Sequence, residues 1–423
     1  VPTLRQLNGP SLDQHDGPPA GAAGGGDIRT LPAPRWWAEQ AQALLQACQE
    51  AAGAMLGFPE SQAYPTHPIM AEFLGVALNT LGEPGDQRMR YGVNAAAVEQ
   101  RVVEWFANLY DLPADQAWGY VTGSGSEGNT WGLLLGREAC GGVQARPVLY
   151  SSSAAHYSVA KAALVLGVPH CVVRQQSTGE MDYDSLAAAL QENADRPAII
   201  LATAGTTMTE AIDDVWAIDA ICRKVGVPHH YVHLDAALCG LTLPWHPSPD
   251  APRLTFDGPI QSISVSIHKF WGSPQPCGIA LARRPHVERI REAVEYVGSG
   301  NGTLFGSRAG FAAVHTWLCI ATCEPHMPGL VRQCVDNAAY LTRRMRAVGI
   351  DAWRNPHALT VVFPEPGPEL LRKHQLPAAE GAAHVITVPS VSWENLDAFV
   401  DRLAEDFDPA LTSRGPLLTA SPA

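Results

Sequence analysis

A chain of 423 residues, 46% hydrophobic and 17% charged, is long enough for a large buried core and more than one compact unit. Its net charge of −13, with no basic cluster, argues against nucleic acid or an anionic membrane surface as a partner. The 9 cysteines are odd in number, lack metal-ligand spacing and sit in apolar contexts such as Leu238-Cys239-Gly240, as reduced core thiols of a cytoplasmic protein would. No apolar run reaches membrane-spanning length, and no basic-then-apolar signal pattern opens the sequence.

Residues 1–34 centre on Gly17-Pro-Pro-Ala-Gly-Ala-Ala-Gly-Gly-Gly26 and hold too little apolar surface to order themselves, so a flexible extension is expected. Arm helices are expected over 35–94. There Trp37, Ala41, Leu44, Leu45 and Cys48 recur at helical spacing, and a second helix is predicted from Met70 to Leu78.

A large domain is expected over 95–325. Val98, Val102, Trp105, Phe106 and Leu109 mark one helix face, and Glu127 to Cys140 a second helix. Short apolar runs follow at Pro147 to Tyr150, His170 to Val173, Ala198 to Ala202, His230 to Leu234, Ser262 to Val265 and Gly278 to Ala282, most separated by helical stretches. Strands alternating with helices predict an α/β fold whose mostly parallel sheet is covered on both faces, with a ligand site at the carboxyl ends of the strands. From 326 to 411 the pattern changes to a small C-terminal α+β domain. It has helices from Leu330 to Val348 and Trp393 to Leu403 around short runs at Leu359 to Phe363 and Val385 to Val388, and a tail covers 412–423.

The chemistry should lie in the turns after the strands, and four of them carry suitable side chains. Thr122-Gly-Ser-Gly-Ser-Glu-Gly-Asn129 opens a helix with glycines and hydroxyls, a start whose free amides suit a phosphate; it lacks the Gly-Lys-Ser/Thr ending of a nucleotide-binding loop. His156 follows a strand, where an imidazole serves either as a capping or core side chain or to stack on a flat ring and move a proton. Ala204-Gly-Thr-Thr207 offers small hydroxyls, and Asp235 in His233-Leu-Asp-Ala-Ala237 puts a carboxylate where burial demands a cationic partner. In Ser262-Ile-Ser-Val-Ser-Ile-His-Lys-Phe-Trp-Gly-Ser273, Lys269 is expected at the end of a strand. Desolvated there by Phe270 and Trp271, with no carboxylate nearby in sequence, it would favour the neutral amine that attacks carbonyls. A lysine is ordinarily a solvated surface charge, and it is the company of the other three turns that sets this one apart. A phosphate cradle, a stacking ring, a carboxylate for a ring nitrogen and a reactive lysine are the parts that hold pyridoxal 5′-phosphate.

On these residues the chain resembles the pyridoxal-phosphate-dependent group II amino-acid decarboxylases, most nearly their bacterial histidine decarboxylase and plant serine decarboxylase branch. The likeness runs from about Tyr64 to Phe363. It includes Asn79-Thr-Leu-Gly-Glu-Pro84, Trp105-Phe-Ala-Asn-Leu-Tyr110, Ser126-Glu-Gly-Asn129, His156-Tyr-Ser158, Gly205-Thr-Thr207, His233-Leu-Asp-Ala-Ala237, His268-Lys269 and Arg354-Asn-Pro356. The resemblance implies a fold type I enzyme that is a homodimer, with residues 297–311 of one subunit reaching the other's cofactor. It implies that Lys269 carries the cofactor as a Schiff base, Asp235 pairs with the pyridine nitrogen, and His156 and Ala237 cover the two ring faces. It further implies that Gly125, Ser126, Ser266 and His268 hold the phosphate and that Thr206 lies near the ring oxygen or the substrate carboxylate. Tyr64 and Phe311 are candidate substrate contacts.

The chain departs from the branch at Ile267, where a glycine is usual, at Asn94-Ala-Ala-Ala97, and at Ala309 and Phe311 in Ser307-Arg-Ala-Gly-Phe311, where an Asn and a His are usual. Decarboxylation of an L-amino acid or conjugate other than free histidine is therefore expected. Decarboxylation-coupled oxidative deamination to an aldehyde and β-elimination of a cysteine S-conjugate stay open, all within specialised metabolism. A zinc site at His229, His230, His233 and Asp235 is the rival reading, weakened because alternation along a strand turns His230 away from His233 and Asp235. A noncatalytic scaffold that keeps the fold is another.

Overall fold

The computed structural model describes residues 33–406 except Gln87. The expected extension over most of 1–34 and the tail at 412–423 lie outside the described residues.

Six of the seven strands of the central sheet run one way: β1 (Ala117–Thr122), β2 (Val148–Ser152), β3 (His170–Val173), β4 (Ala198–Thr203), β5 (His230–Asp235) and β6 (Ile260–Ser266). The seventh, β7 (Gly278–Arg283), is antiparallel to both its neighbours, and the order across the sheet is β1-β7-β6-β5-β4-β2-β3. Each expected run is a strand. The sequence reading omitted β1, an edge strand whose central Gly119 weakens its pattern. The glycine is required: a Cβ there would lie 2.5 Å from the Ala280 carbonyl oxygen.

Continuous apolar runs are what a sheet buried on both faces needs, and alternation sorts their side chains between two cores. Ala198, Ile200, Ala202, Val232 and Leu234 join the core that continues into the C-terminal unit. Ile199, Leu201 and Tyr231 face the other way, onto Trp131, Leu133 and Leu135 of a glycine-studded helix.

The arm begins with α1 (Arg35–Ala54), on which no residue is buried, and Trp37, Leu44 and Leu45 stand 55%, 42% and 50% exposed. The second arm helix is shorter than expected, Ile69–Phe73, because Leu74 caps it and the chain turns at Gly75. Next come α2 (Ala96–Leu109) and α3 (Gly125–Ala139). In the C-terminal unit, β8 (Thr360–Pro364), β9 (Ala378–Ala379) and β10 (Ala382–Ile386) form an antiparallel sheet in the order β8-β10-β9, backed by helices Met327–Ala347 and Trp393–Asp406.

A buried ion pair ties the segment before helix Gly310–Cys323 to the large sheet. Arg308 donates to Glu99 of α2 at 2.7 and 3.1 Å and to the Gly82 carbonyl at 3.1 Å, while Glu99 also accepts from the Val121 amide of β1 at 3.0 Å. The two side chains are 4% and 1% exposed, so removing one strands the other's charge away from water. Arg308→Met should therefore cost about 3–5 kcal/mol in equilibrium denaturation, and the double variant with Glu99→Met should recover most of that loss. A loss under ~1 kcal/mol for Arg308→Met would show that the pair is not the tie.

Candidate active site

The site is built where α3 lies on the carboxyl ends of β5 and β6. One helical turn advances about 5.4 Å and two strand residues about 6.6 Å, so every third or fourth helix residue meets every second strand residue. Those helix positions are Gly125, Gly128, Gly132 and Gly136, and none has room for a side chain. A Cβ would lie 2.7 Å from Ser266 Oγ at Gly125, 2.2 Å from Ser264 Oγ at Gly128, 2.1 Å from His233 Nδ1 at Gly132 and 2.9 Å from a Tyr231 ring carbon at Gly136. This smooth face brings the helix backbone down onto the sheet. Ser124 caps its start by accepting from the Glu127 amide, and the first-turn amides of Gly125 and Ser126 have no carbonyl of their own helix to bond.

Beside that helix start stand Ser266, Ala237 and Asp235. Ser266 ends β6, is 2% exposed and donates its amide to the Ala237 carbonyl at 3.0 Å. Asp235 ends β5 and is 5% exposed, with Oδ2 accepting from Asn129 Nδ2 at 2.7 Å and Oδ1 from the Ala237 amide at 3.1 Å. Both donors are neutral, and no ion pair reaches Asp235 among the described residues. A buried carboxylate with only neutral partners is an acceptor for a cation the protein does not itself supply.

Lys269 does not end the strand. Ser266 ends it, and Lys269 lies in a single helical turn, Ile267–Phe270, whose backbone is pinned by the Ser61 amide donating to the Lys269 carbonyl at 2.8 Å. Its side chain is half-buried rather than enclosed, and it lines a cavity of about 560 Å³ with His156, Thr206 and Leu238. His268 is turned by a 2.7 Å hydrogen bond from Nδ1 to the Cys277 carbonyl.

His156 Nδ1 accepts from the Ser158 amide at 3.3 Å and lies 2.7 Å from the Ser158 hydroxyl, so the neutral ring carries its proton on Nε2. Burial lowers the imidazole's pKa; Asp235 opposes that shift and Lys269 reinforces it, which places both charged groups within the histidine's electrostatic reach. Thr206 is also at the cavity, but its hydroxyl is already engaged, 3.0 Å from Thr209 Oγ1 and accepting from the Ala211 amide at 3.0 Å.

Tyr64 sits on the arm, and Phe311 at the start of helix Gly310–Cys323. Neither lines the Lys269 cavity: Tyr64 packs edge-on against His315, and Phe311 is half-buried. The histidines of the zinc reading are engaged separately, His230 with Asp219 at 2.7 Å and His233 with Ser262 at 2.7 Å.

Sequence reasoning passed over three residues that the fold brings in. Asn129 reaches Asp235 across 106 positions of chain. Glu210 lines the cavity while accepting from the amides of Leu359 and Thr360, at 2.9 and 2.8 Å, which clamps the C-terminal unit to the large sheet. Glu380, at positive φ in the hairpin turn between β9 and β10, overhangs the cavity from the C-terminal unit. Asn129 alone had a local signal, its place four residues into the glycine-rich helix start.

A free helix start beside a serine, a buried carboxylate without a cation and a lysine at a cavity, on a sheet of this order, define a fold type I pyridoxal-phosphate enzyme. Residues 60–347 match the pyridoxal-dependent decarboxylase conserved domain, and the chain belongs to that family. It is 38% identical over 363 residues to a histidine decarboxylase of Mesorhizobium japonicum, covering 85% of this chain and 96% of the relative. It is likewise 38% identical over 366 residues to serine decarboxylase 2 of Oryza sativa subsp. japonica, covering 85% and 76%. Among solved structures, L-methionine decarboxylase from Streptomyces sp. 590 superposes with a TM-score of 0.80 at 24% identity, over 89% of this chain and 96% of that one. The protein is thus a pyridoxal-5′-phosphate-dependent carboxy-lyase acting on amino acids.

Proposed function

We propose that the substrate is an L-amino acid, or an amino-acid conjugate, with a side chain that is not anionic. The composition of the cavity wall carries this reading. Among the described residues that line it, Lys269 is the sole Lys or Arg, whereas Glu60, Glu210 and Glu380 contribute carboxyl groups and Phe58, Met208, Leu238, Val362 and Ile386 contribute apolar surface. An acidic side chain would be desolvated against like charge there, and a bulky apolar one would displace water from an apolar wall.

In this reading Lys269 would hold the cofactor covalently and Asp235 would take its ring nitrogen. His156 and Ala237 would lie on the two ring faces, and Gly125, Ser126, Ser266 and His268 would surround the phosphate. Thr206 would border the ring oxygen or the substrate carboxylate, its hydroxyl held by Thr209. When bound, the cofactor supplies an electron sink for the carbanion left as carbon dioxide departs. The chain's own residues orient and protect: the short Ile267–Phe270 turn fixes the lysine, and the depressed pKa of His156 keeps that ring neutral with its proton on Nε2.

Carbon dioxide release from a panel of amino acids, with oxygen uptake followed in parallel, tests the proposal. Bulky apolar side chains should react best, free histidine poorly, and glutamate and aspartate at least about 10²-fold more slowly than the best substrate, the scale set by an unpaired buried charge. Brisk turnover of glutamate would overturn the assignment. Amine without oxygen use identifies simple decarboxylation, and aldehyde with oxygen uptake identifies the oxidative alternative.

The assembly in this reading is a homodimer in a reducing cytoplasm, with 297–311 contributing to the partner's site. Supporting it are the uncovered apolar stripe of α1 and the nine free thiols. Sedimentation of the active enzyme should give about twice the 45.2 kDa chain mass, and an active monomer would refute the shared site.

A further inference from the structure

From Asp235 a row of polar side chains runs into the core. Asn129 Nδ2 donates to Asp235 Oδ2 at 2.7 Å, which turns the amide oxygen, Oδ1, toward His233 Nε2 at 3.0 Å. An amide oxygen only accepts, so Nε2 carries the imidazole proton. His233 Nδ1 is then a lone pair, and Ser262 Oγ, 2.7 Å away, donates to it. Asn129 is 2% exposed, and His233 and Ser262 are 0% exposed.

We infer that Asn129, His233 and Ser262 are positioning residues, a chain of three neutral hydrogen-bonding groups that holds Asp235 as an ionised acceptor for the cofactor's ring nitrogen. The inference rests on the reading of Asp235 given above and deepens it. Every donor in the chain points toward the carboxylate, so Asp235 is fixed in rotation and kept as an acceptor. Burial pushes the His233 pKa down to about 3, so the chain stays neutral and puts no competing cation beside the carboxylate. The space for the imidazole comes from Gly132, where a Cβ would sit 2.1 Å from Nδ1.

The chain has one other complete polarity. If Asp235 were protonated it would donate to the Asn129 oxygen, the Asn129 amide nitrogen would face a bare His233 Nε2, and the imidazole proton would sit on Nδ1, pointing at Ser262 Oγ. Both arrangements satisfy the contacts within the chain, so the charge on Asp235 and the tautomer of His233 change together. A cationic ring nitrogen held by Asp235 would favour the arrangement seen here, because it requires the carboxylate form. Removing any member leaves a buried partner unsatisfied and loosens the carboxylate.

Two readouts other than turnover test this. The first is the affinity of the apoenzyme for pyridoxal 5′-phosphate, titrated by quenching of tryptophan fluorescence. Asn129→Leu should weaken it roughly tenfold to a hundredfold, as happens when an outer-sphere partner is taken from a metal ligand, and Ser262→Ala should weaken it by about threefold to tenfold. The second is the imidazole ¹⁵N spectrum of the parent holoenzyme, in which His233 should be the neutral tautomer protonated on Nε2. Should Asn129→Leu be poorly folded, Ser262→Ala, which removes a single atom, and the parent spectrum still decide. Parent-like affinity in both variants, or a holoenzyme His233 protonated on Nδ1, overturns the chain. Asp235→Asn separates the two levels: if it leaves affinity unchanged, the reading of Asp235 itself fails, and if it alone weakens binding, only the chain does.

Discussion

Lys269→Ala should abolish carbon dioxide release from every substrate while leaving the protein folded. The lysine's backbone role survives the change, because its carbonyl still accepts from the Ser61 amide, and Ile267 and Phe270 still bury their side chains beneath the same turn. What goes is the amine on the cavity wall, the only primary amine among the described lining residues and so the one able to form a Schiff base with the cofactor's aldehyde. Borohydride reduction of the parent followed by peptide mapping should place the pyridoxyl group on Lys269, and the variant should carry none. Turnover by the variant without added external amine would exclude Lys269 as the attachment point.

A nearly isosteric change at Asp235 is expected to be almost as severe. Asp235→Asn keeps the side chain's shape and its hydrogen bond from the Ala237 amide, but it puts a neutral amide in the place of a carboxylate that is 5% exposed. In the proposed role, the charge that would hold the ring nitrogen protonated is then gone, and with it the electron sink. The rate should fall by at least about 10²-fold, the scale on which a preorganised electrostatic partner is usually lost, while some cofactor remains bound through the other proposed contacts. Pre-steady-state measurement of carbon dioxide release isolates the chemical step, and a parent-like rate there would remove Asp235 from the ring-nitrogen role.

The contrast between these residues and Tyr64 or Phe311 shows how sequence and fold divide the information. The place of Lys269, Asp235 and His156 at the carboxyl edge of the sheet was legible because each follows an apolar run that is buried on both faces, and the carboxyl ends of such strands converge on one edge. Tyr64 and Phe311 have no such anchor. Their positions depend on how the arm and helix Gly310–Cys323 pack, and the single chain leaves both outside the Lys269 cavity. Edge strand β1 was passed over for a related reason, since Gly119 answers to a tight contact with Ala280 that local sequence does not display.

By itself the sequence determined the α/β alternation, the change to a smaller C-terminal unit and the residues at the strand ends, because hydrophobic period and turn chemistry are local properties. Only the tertiary structure decided the strand order with its reversed β7, the hold of Glu210 on the C-terminal unit and the place of Glu380 over the cavity. The same holds for the hydrogen bonds from Ser262 through His233 and Asn129 to Asp235. Read locally, His233 is a polar residue on an apolar strand and Gly132 a weak point in a helix. Packing α3 against β5 gives the histidine its space and its partners, because a contact between residues about 100 positions apart is set by the shapes of two elements together.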